Sequence, residues 1–424
     1  MSRWPHVFVV LLTCIFMLGP SGAAFMEAVV PINAPFLAVS YGQEAGATYP
    51  SLAYNPQNQE YLLVWCHELT DSVAIYARTI SKTGAMSSIY PVSETSTDVD
   101  RCKPDVAYNS TSHNYLVVWE NRITGPQFSV HGRTFIPGGA LGTEVTFDDA
   151  GSSNQVYPAV AYNSTENEFL VVWASQPFEG NYSILAQRYS GTLGKQGGNY
   201  TVAQGSGSTN HYDPDVAFNP ARNEYLVVWT HQSPSPSGPN RDIFGQILTH
   251  DMIPLHGELY VEYSTLNEYA PAVAAIQTPG PESGRYLVVW ERLWTDTVDH
   301  DILGNIVKGD GTMLGLPTII ATSLDERAPA VTGNRFDNLF FVTWTSGYPA
   351  PYEANLGVRG RAVTLAGEVR EAGWAGGIKS GMSATAAGKG DQFLVIFEDT
   401  TFFSKADLFG RFWGDQIFLP FIRR

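Results

Sequence analysis

"EYLVVW" occupies residues 224–229, "NYLVVW" 114–119, "EYLLVW" 60–65, "EFLVVW" 168–173 and "RYLVVW" 285–290. Apolar residues follow one another here instead of alternating, which is the pattern of a strand buried on both faces. Near-identical copies of one run in one chain mean an internal repeat, and its extent is found by reading outward.

A second phrase always precedes the hexapeptide. It reads "YPSLAYN" from Tyr49, "KPDVAYN" from Lys103, "YPAVAYN" from Tyr157, "DPDVAFN" from Asp213, "APAVAAI" from Ala270 and "APAVTGN" from Ala328, with a degenerate seventh copy from Met382. Pro50, Pro104, Pro158, Pro214, Pro271 and Pro329 are spaced by 54, 54, 56, 57 and 58 residues, and Ser383 follows another 54 on. A third phrase comes after a loop of variable length: "SVAIYARTI", "FSVHGRTF", "YSILAQRY", "RDIFGQIL", "HDILGNIV", "LGVRGRAV" and "ADLFGRFW". A turn and a weaker fourth segment, such as "SIYPVS" or "ELYVEY", complete the unit. Each unit is therefore four short strands, A to D, in repeats starting near 49, 103, 157, 213, 270, 328 and 382.

A four-stranded sheet buried on both faces needs a neighbour on each side, and radial stacking supplies one. The predicted fold class is all-β, a seven-bladed β-propeller of four-stranded antiparallel blades. A parallel solenoid is the rival, but the period exceeds what one coil needs. The small residues of strand A (Ala53, Ala107, Ala161, Ala217, Ala274) suit a crowded axis. Trp65, Trp119, Trp173, Trp229, Trp290 and Trp344, with Phe397 in the last unit, suit packing between blades. The Asn ending strand A is turn chemistry, and the Gly in strand C marks a close backbone approach.

"PAVAYNSTENEFLVVW" with the later "DIFGQ" resembles the repeat of a broad group of secreted bacterial seven-bladed propellers, most of them without assigned activity. The resemblance spans almost the whole chain after residue 24. It implies the fold and export, and it carries no catalytic residues over. The alternating Asp/Asn calcium loop of integrin-like propellers and the Trp-Asp ending of WD-type blades are both absent from these repeats.

Composition agrees with a packed exported domain. Hydrophobic residues make up 44% and charged residues 16%, with 40 Gly for turns. The net charge of −16 leaves nothing to neutralise phosphates, so nucleic acid and anionic membrane are excluded as partners. Residues 1–24 read as a signal peptide, with Arg3 ahead of the apolar run Val7 to Leu18 and small residues near Ala23 and Ala24. The expectation is a single propeller over 25–424, secreted or at the cell surface, monomeric and with no transmembrane span. Cys66 and Cys102 fall on one face of neighbouring blades and are expected to form a disulfide. Pro35–Ser40 matches the register of strand D and is assigned to complete the last blade. The rival is the C-terminal "QIFLPFI" after a turn at Gly414–Asp415.

The B–C and D–A loops share one face, and their variety makes that face the binding surface. Tyr49, Tyr157, Tyr212, Tyr269, Trp294, Tyr348 and Tyr352 place aromatics there, beside His211 and His231. Aromatic rings with polar neighbours suit sugars. Glu120, Glu291 and Glu398 follow the strand-B aromatic and are the candidate carboxylates for glycoside hydrolysis. They share one repeat position with Cys66, Ala174, Thr230 and Thr345, so capping within the repeat explains them more simply. His67 and His231 stand two places after the strand-B Trp. Only His211 and His231 are placed to meet, and a solvated imidazole is the simpler role for each. No motif implies a metal or a cofactor. The leading function is a binding module for extracellular glycan or protein. A glycosidase or polysaccharide lyase using top-face carboxylates comes second, and a purely structural cell-surface domain third.

Overall fold

A computed structural model of the chain describes residues 27–417 except 32, 42–44, 69–71, 95–101, 125–126, 148–152, 178–179, 236–239, 277–283, 295–298, 316–317, 321–323, 335–337, 348–356, 371–372, 377–382, 388–391 and 400–405. The signal-peptide assignment, Tyr348, Tyr352 and the tail after Ile417 lie outside these residues.

The strands form seven separate antiparallel sheets in chain order, and no helix occurs among the described residues. Blade 1 is Gly46–Asn55, Glu60–Glu68, Val73–Ser81 and Tyr90–Pro91. Blade 2 is Asp105–Asn109, Asn114–Thr124 and Gln127–Ile136, with an outer strand in two pieces, Ala140–Leu141 and Val145–Thr146. Blade 3 is Ser153–Asn163, Glu168–Pro177, Ser183–Ser190 and Lys195–Ala203. Blade 4 is Asn210–Asn219, Glu224–Ser233, Asn240–Thr249 and Leu259–Glu262. Blade 5 is Asn267–Ala275, Arg285–Leu293, His300–Lys308 and Thr318–Ile320, and blade 6 is Asp325–Asn334, Leu339–Gly347, Gly357–Thr364 and Gly373–Gly376. Blade 7 takes Ser383–Ala387, Gln392–Asp399 and Asp407–Ile417 from the end of the chain.

The core is divided among the seams. Seven buried apolar clusters each join strand B of one blade to strand B of the next. Trp229 of blade 4 packs with Leu170 and Val172 of blade 3, and Trp290 of blade 5 packs with Leu226 and Val228 of blade 4. The continuous apolar run of strand B is thus explained, because alternate side chains serve two different seams. At the A–B turn the buried Asn55, Asn109 and Asn163 each accept N–H bonds from the residues two and three places on, at 2.8–3.2 Å. The strand-C glycine is the place where the outer strand closes down. A Cβ on Gly132 would meet the Phe147 ring at 2.3 Å, and one on Gly410 would meet Phe36 at 2.4 Å.

Both ends of the chain build blade 7. Phe36–Val39 pairs antiparallel with the last strand through Phe36↔Gly410 and Leu37↔Phe409, and Glu27–Pro31 continues it through Val29↔Asp415 and Glu27↔Ile417. Gly414 and Asp415 are therefore not a turn. They run on inside strand C, because residues 27–31 offer their backbone groups a partner. Arginines on strand C lock the outer strand of the blade before: Arg78 donates to Ala38 O at 2.6 Å, Arg133 to Val92 O at 2.9 Å and Arg361 to Ile319 O at 2.6 Å.

Candidate functional site

The inner strands enclose a central channel of about 1040 Å³. Each of six inner strands bends where the residue before the proline adopts the left-handed region: Tyr49, Lys103, Tyr157, Asp213, Ala270 and Ala328, with φ between 32° and 58°. Pairing slips there, as between Thr48 and Ser51 or Tyr212 and Asp215. The bulge swings these residues into the channel mouth on the loop-rich face, where they line it with the proline ring. Lys103 Nζ sits 3.6 Å over the Tyr157 ring, and burial pushes the nearby Asp213 carboxyl up, with Lys103 and Arg241 pulling it back.

A bulge leaves its N–H without a ladder partner, and the three candidate glutamates supply one. Glu398 accepts from Tyr49 N at 2.7 Å, Glu120 from Tyr157 N at 2.7 Å and Glu291 from Ala328 N at 2.5 Å. Each bond reaches from the end of strand B in one blade to the bulge of the next. Burial raises Glu291, with the Ala328 N–H as the largest opposing effect. Cys66 holds the same repeat position in blade 1 and clasps the next blade covalently, through a disulfide to Cys102 with Cα atoms 5.7 Å apart. The glutamates stand on three separate blades and each faces a different seam.

Two other carboxylates face the channel. Asp105 accepts from Ser51 Oγ and from Val160 N, both at 2.8 Å, so it joins blade 2 to blades 1 and 3. Asp215 accepts from Val216 N and Val273 N, both at 2.8 Å. Burial and then the Asp105 charge push Asp215 up to about 7, while the two N–H bonds oppose. The sequence signal for both was present: "KPDV" and "DPDV" carry Asp where "YPAV" carries Ala.

The two histidines meet as cross-strand partners with ring centroids 5.0 Å apart. His211 is not solvated as expected, and His231 is half-buried. His211 is 3% exposed and His231 lies flat on Phe244 at 4.1 Å, while His67 in blade 1 is 7% exposed between Tyr41 and Tyr76. Aromatic packing covers His211 and His67, and one face of His231. His211 Nε2–H donates to Gln204 O, leaving Nδ1 buried and unpartnered. Burial and then His231 lower its pKa to about 4. No group of three or more potential metal ligands occurs among the described residues.

The predicted tyrosines divide between two places. Tyr49 and Tyr157 line the channel mouth. Tyr212 packs against Tyr182, and Tyr269 lies under Arg241. Trp294 is 41% exposed and donates Nε1–H to Asp301. Two further exposed aromatics, which sequence reasoning absorbed into strand D, are Tyr260 and Tyr263 of blade 4, 57% and 69% exposed.

No family model matches the chain, and no curated protein matches it. Among solved structures it is similar to the BP39L lectin of Burkholderia pseudomallei, at 13% identity and TM-score 0.60, covering 88% of this chain and 98% of that one. It is also similar to a protein of unknown function from Dyadobacter fermentans, at 12% identity and TM-score 0.50, covering 92% and 100%. A GH93 α-L-arabinofuranosidase of Fusarium graminearum aligns at 14% identity and TM-score 0.49, covering 80% and 98%. At these identities the likeness speaks for the fold alone.

Proposed function

We propose that this chain is an exported binding module that takes a glycan on its loop-rich face. One observation carries the reading: large aromatics stay in water along the outer edge of blade 4 and at the loop end of strand B in blade 5, while the glutamates suited to hydrolysis hold the blades together. Tyr260, Tyr263 and Trp294 expose 57%, 69% and 41% of their surface. The apolar face of a sugar ring is a natural cover for such rings, and its hydroxyls suit the charged groups between them. The disulfide and the apolar N-terminal run support export. The second reading, a glycoside hydrolase, is favoured by Asp105 and Asp215 in the channel, the latter held near neutrality. Against it, every oxygen of that pair already accepts a bond from the inner strands. Glycan-array binding of the chain from residue 25, with reducing-sugar release measured on the same glycans, separates the two. Binding without release is expected. Release that Asp215→Asn abolishes would establish the hydrolase, and neither binding nor release would sink the glycan reading.

A further inference from the structure

Blade 4 carries an aromatic stack that runs from its seam with blade 3 out to the surface. It starts at the buried His211 and the half-buried His231 beside it. From His231 it passes to Phe244, stacked at 4.1 Å and 8°, and then to Tyr260, edge-on at 4.7 Å. Tyr263 closes it, meeting Tyr260 edge-on at 5.9 Å. The same register position as Tyr260 holds Pro91 in blade 1, Thr146 in blade 2, Thr201 in blade 3, Thr318 in blade 5, Trp374 in blade 6 and Leu37 in blade 7. Three residues further, where blade 4 has Tyr263, those sheets have Glu94, Gln204 and Ser40 in blades 1, 3 and 7. The repeat therefore prescribes no aromatic at the Tyr263 position, and at the Tyr260 position it has one besides blade 4, in blade 6. Phe244 beneath them holds Tyr260 upright, so a rigid apolar platform is presented without folding flat on the surface.

Across the seam in blade 5, Trp294 offers a second exposed ring at a strand-B extension where blade 3 has Pro177 and blade 4 has Ser233. A charged fork links the two platforms. Arg292 lies 6.0 Å from the Trp294 ring, pairs with Glu262 at 2.5 Å and donates to Glu268 at 2.9 Å. Glu262 immediately precedes Tyr263. The arrangement is apolar ring, hydrogen-bonding charges, apolar ring, across one blade boundary. That alternation suits a chain of linked sugars, whose ring faces are apolar and whose edges carry hydroxyls. Two carboxylates to one guanidinium, on a chain of net charge −16, disfavour uronate or sulfate polymers.

We infer that Tyr260 and Tyr263 of blade 4 and Trp294 of blade 5, bridged by Glu262 and Arg292, form an extended subsite for a neutral polysaccharide. The inference rests on the glycan-binding reading above and adds to it the residues and the ligand class. It is tested by affinity electrophoresis and titration calorimetry of the chain from residue 25 with dextran, laminarin, galactomannan and arabinan, and with alginate as the charged counterpart. Tyr260→Ala/Tyr263→Ala and Trp294→Ala are compared with Ile253→Ala, an exposed residue on the opposite face. A neutral polysaccharide should bind, and each platform variant should weaken it about tenfold or more, the loss expected of an aromatic anchor. Ile253→Ala should match the parent, and near-ultraviolet circular dichroism should show all variants folded. Binding to the parent that the platform variants leave unchanged overturns this subsite while the glycan reading stands. Binding to alginate alone overturns the ligand class. If the parent binds none of the five, and no glycan on the array, both fall.

Discussion

Glu120, Glu291 and Glu398 show how one residue can look catalytic and serve the backbone. A left-handed residue before a proline breaks the inner ladder, and a carboxylate from the blade before restores the bond. Glu120→Ala should leave Tyr157 N–H without that acceptor and cost about 1–3 kcal/mol in urea unfolding, with glycan affinity unchanged. An unaltered unfolding midpoint would show that water replaces the clasp at no cost. His211 sets a pH limit of its own. Its folded pKa, about 4, lies below the ordinary 6.5, so between those values the unfolded chain binds a proton that the folded chain does not. Stability is then full above about 6.5 and falls as pH drops toward 4, by at most about 3 kcal/mol. Asp215 and Glu268 are both raised to about 7, so their contribution falls as pH rises through that window. The His211 effect must therefore be read as a difference. The gap in unfolding free energy between the parent and His211→Gln should change steadily from pH 6.5 to 4. Parallel pH profiles would rule it out.

Among the elements, seams differ in how they are fastened. The seam between blades 1 and 2 has the disulfide, that between 2 and 3 has Glu120 and Asp105, and that between 4 and 5 has Asp215. Replacing Cys66 and Cys102 together by Ala opens a closure spanning 36 residues and should cost about 3–4 kcal/mol by chain entropy. The unfolding free energies of oxidised and reduced parent, from urea titration, would differ by the same amount, and equal urea midpoints would contradict it. The outer strand of blade 7 is held by Gly410, Phe409 and Arg78. A chain starting at residue 42 should lose roughly 3–6 kcal/mol from the buried Ala38 and Val39 and the ring of Phe36, and a peptide of residues 27–41 should restore it. Strands A, B and C were legible because each carries a fixed phrase: the proline, the apolar run and the glycine. The outer strand was legible only by its place in the unit, as in Tyr90–Pro91, Leu259–Glu262 and Phe36–Val39, since its residues change from blade to blade, as Pro91, Thr201 and Tyr260 do. For the same reason Tyr260 and Tyr263 read as ordinary strand residues. Their exposure is a property of the edge, and an edge is defined only once its neighbours are placed. The cross-strand meeting of His211 and His231 followed from register alone, whereas the stacking of His231 depended on Phe244, which comes from another strand.

At the scale of the molecule the charge is strongly negative, and the surface proposed for ligand is a neutral one in character. Affinity for a neutral polysaccharide should therefore hardly change between low and high salt, since no counterions are released. A steep loss with salt, measured by the same titration, would mean that a charged group on the ligand carries the binding. The closure of the ring has a further consequence. Glu27 lies opposite Ile417 in the register of blade 7, so the first and last described residues lie side by side on the rim of the disc. Blade 7 is three places from blade 4, the greatest separation a ring of seven permits. Whatever is joined to either end, whether a solid support, a fused domain or a cell wall, is attached at the far side of the disc from the tyrosine platform. The protein can be moored by its rim and still hold that platform outward, like a paddle gripped at the handle, with a ligand approaching from the open side meeting no obstruction from the mooring.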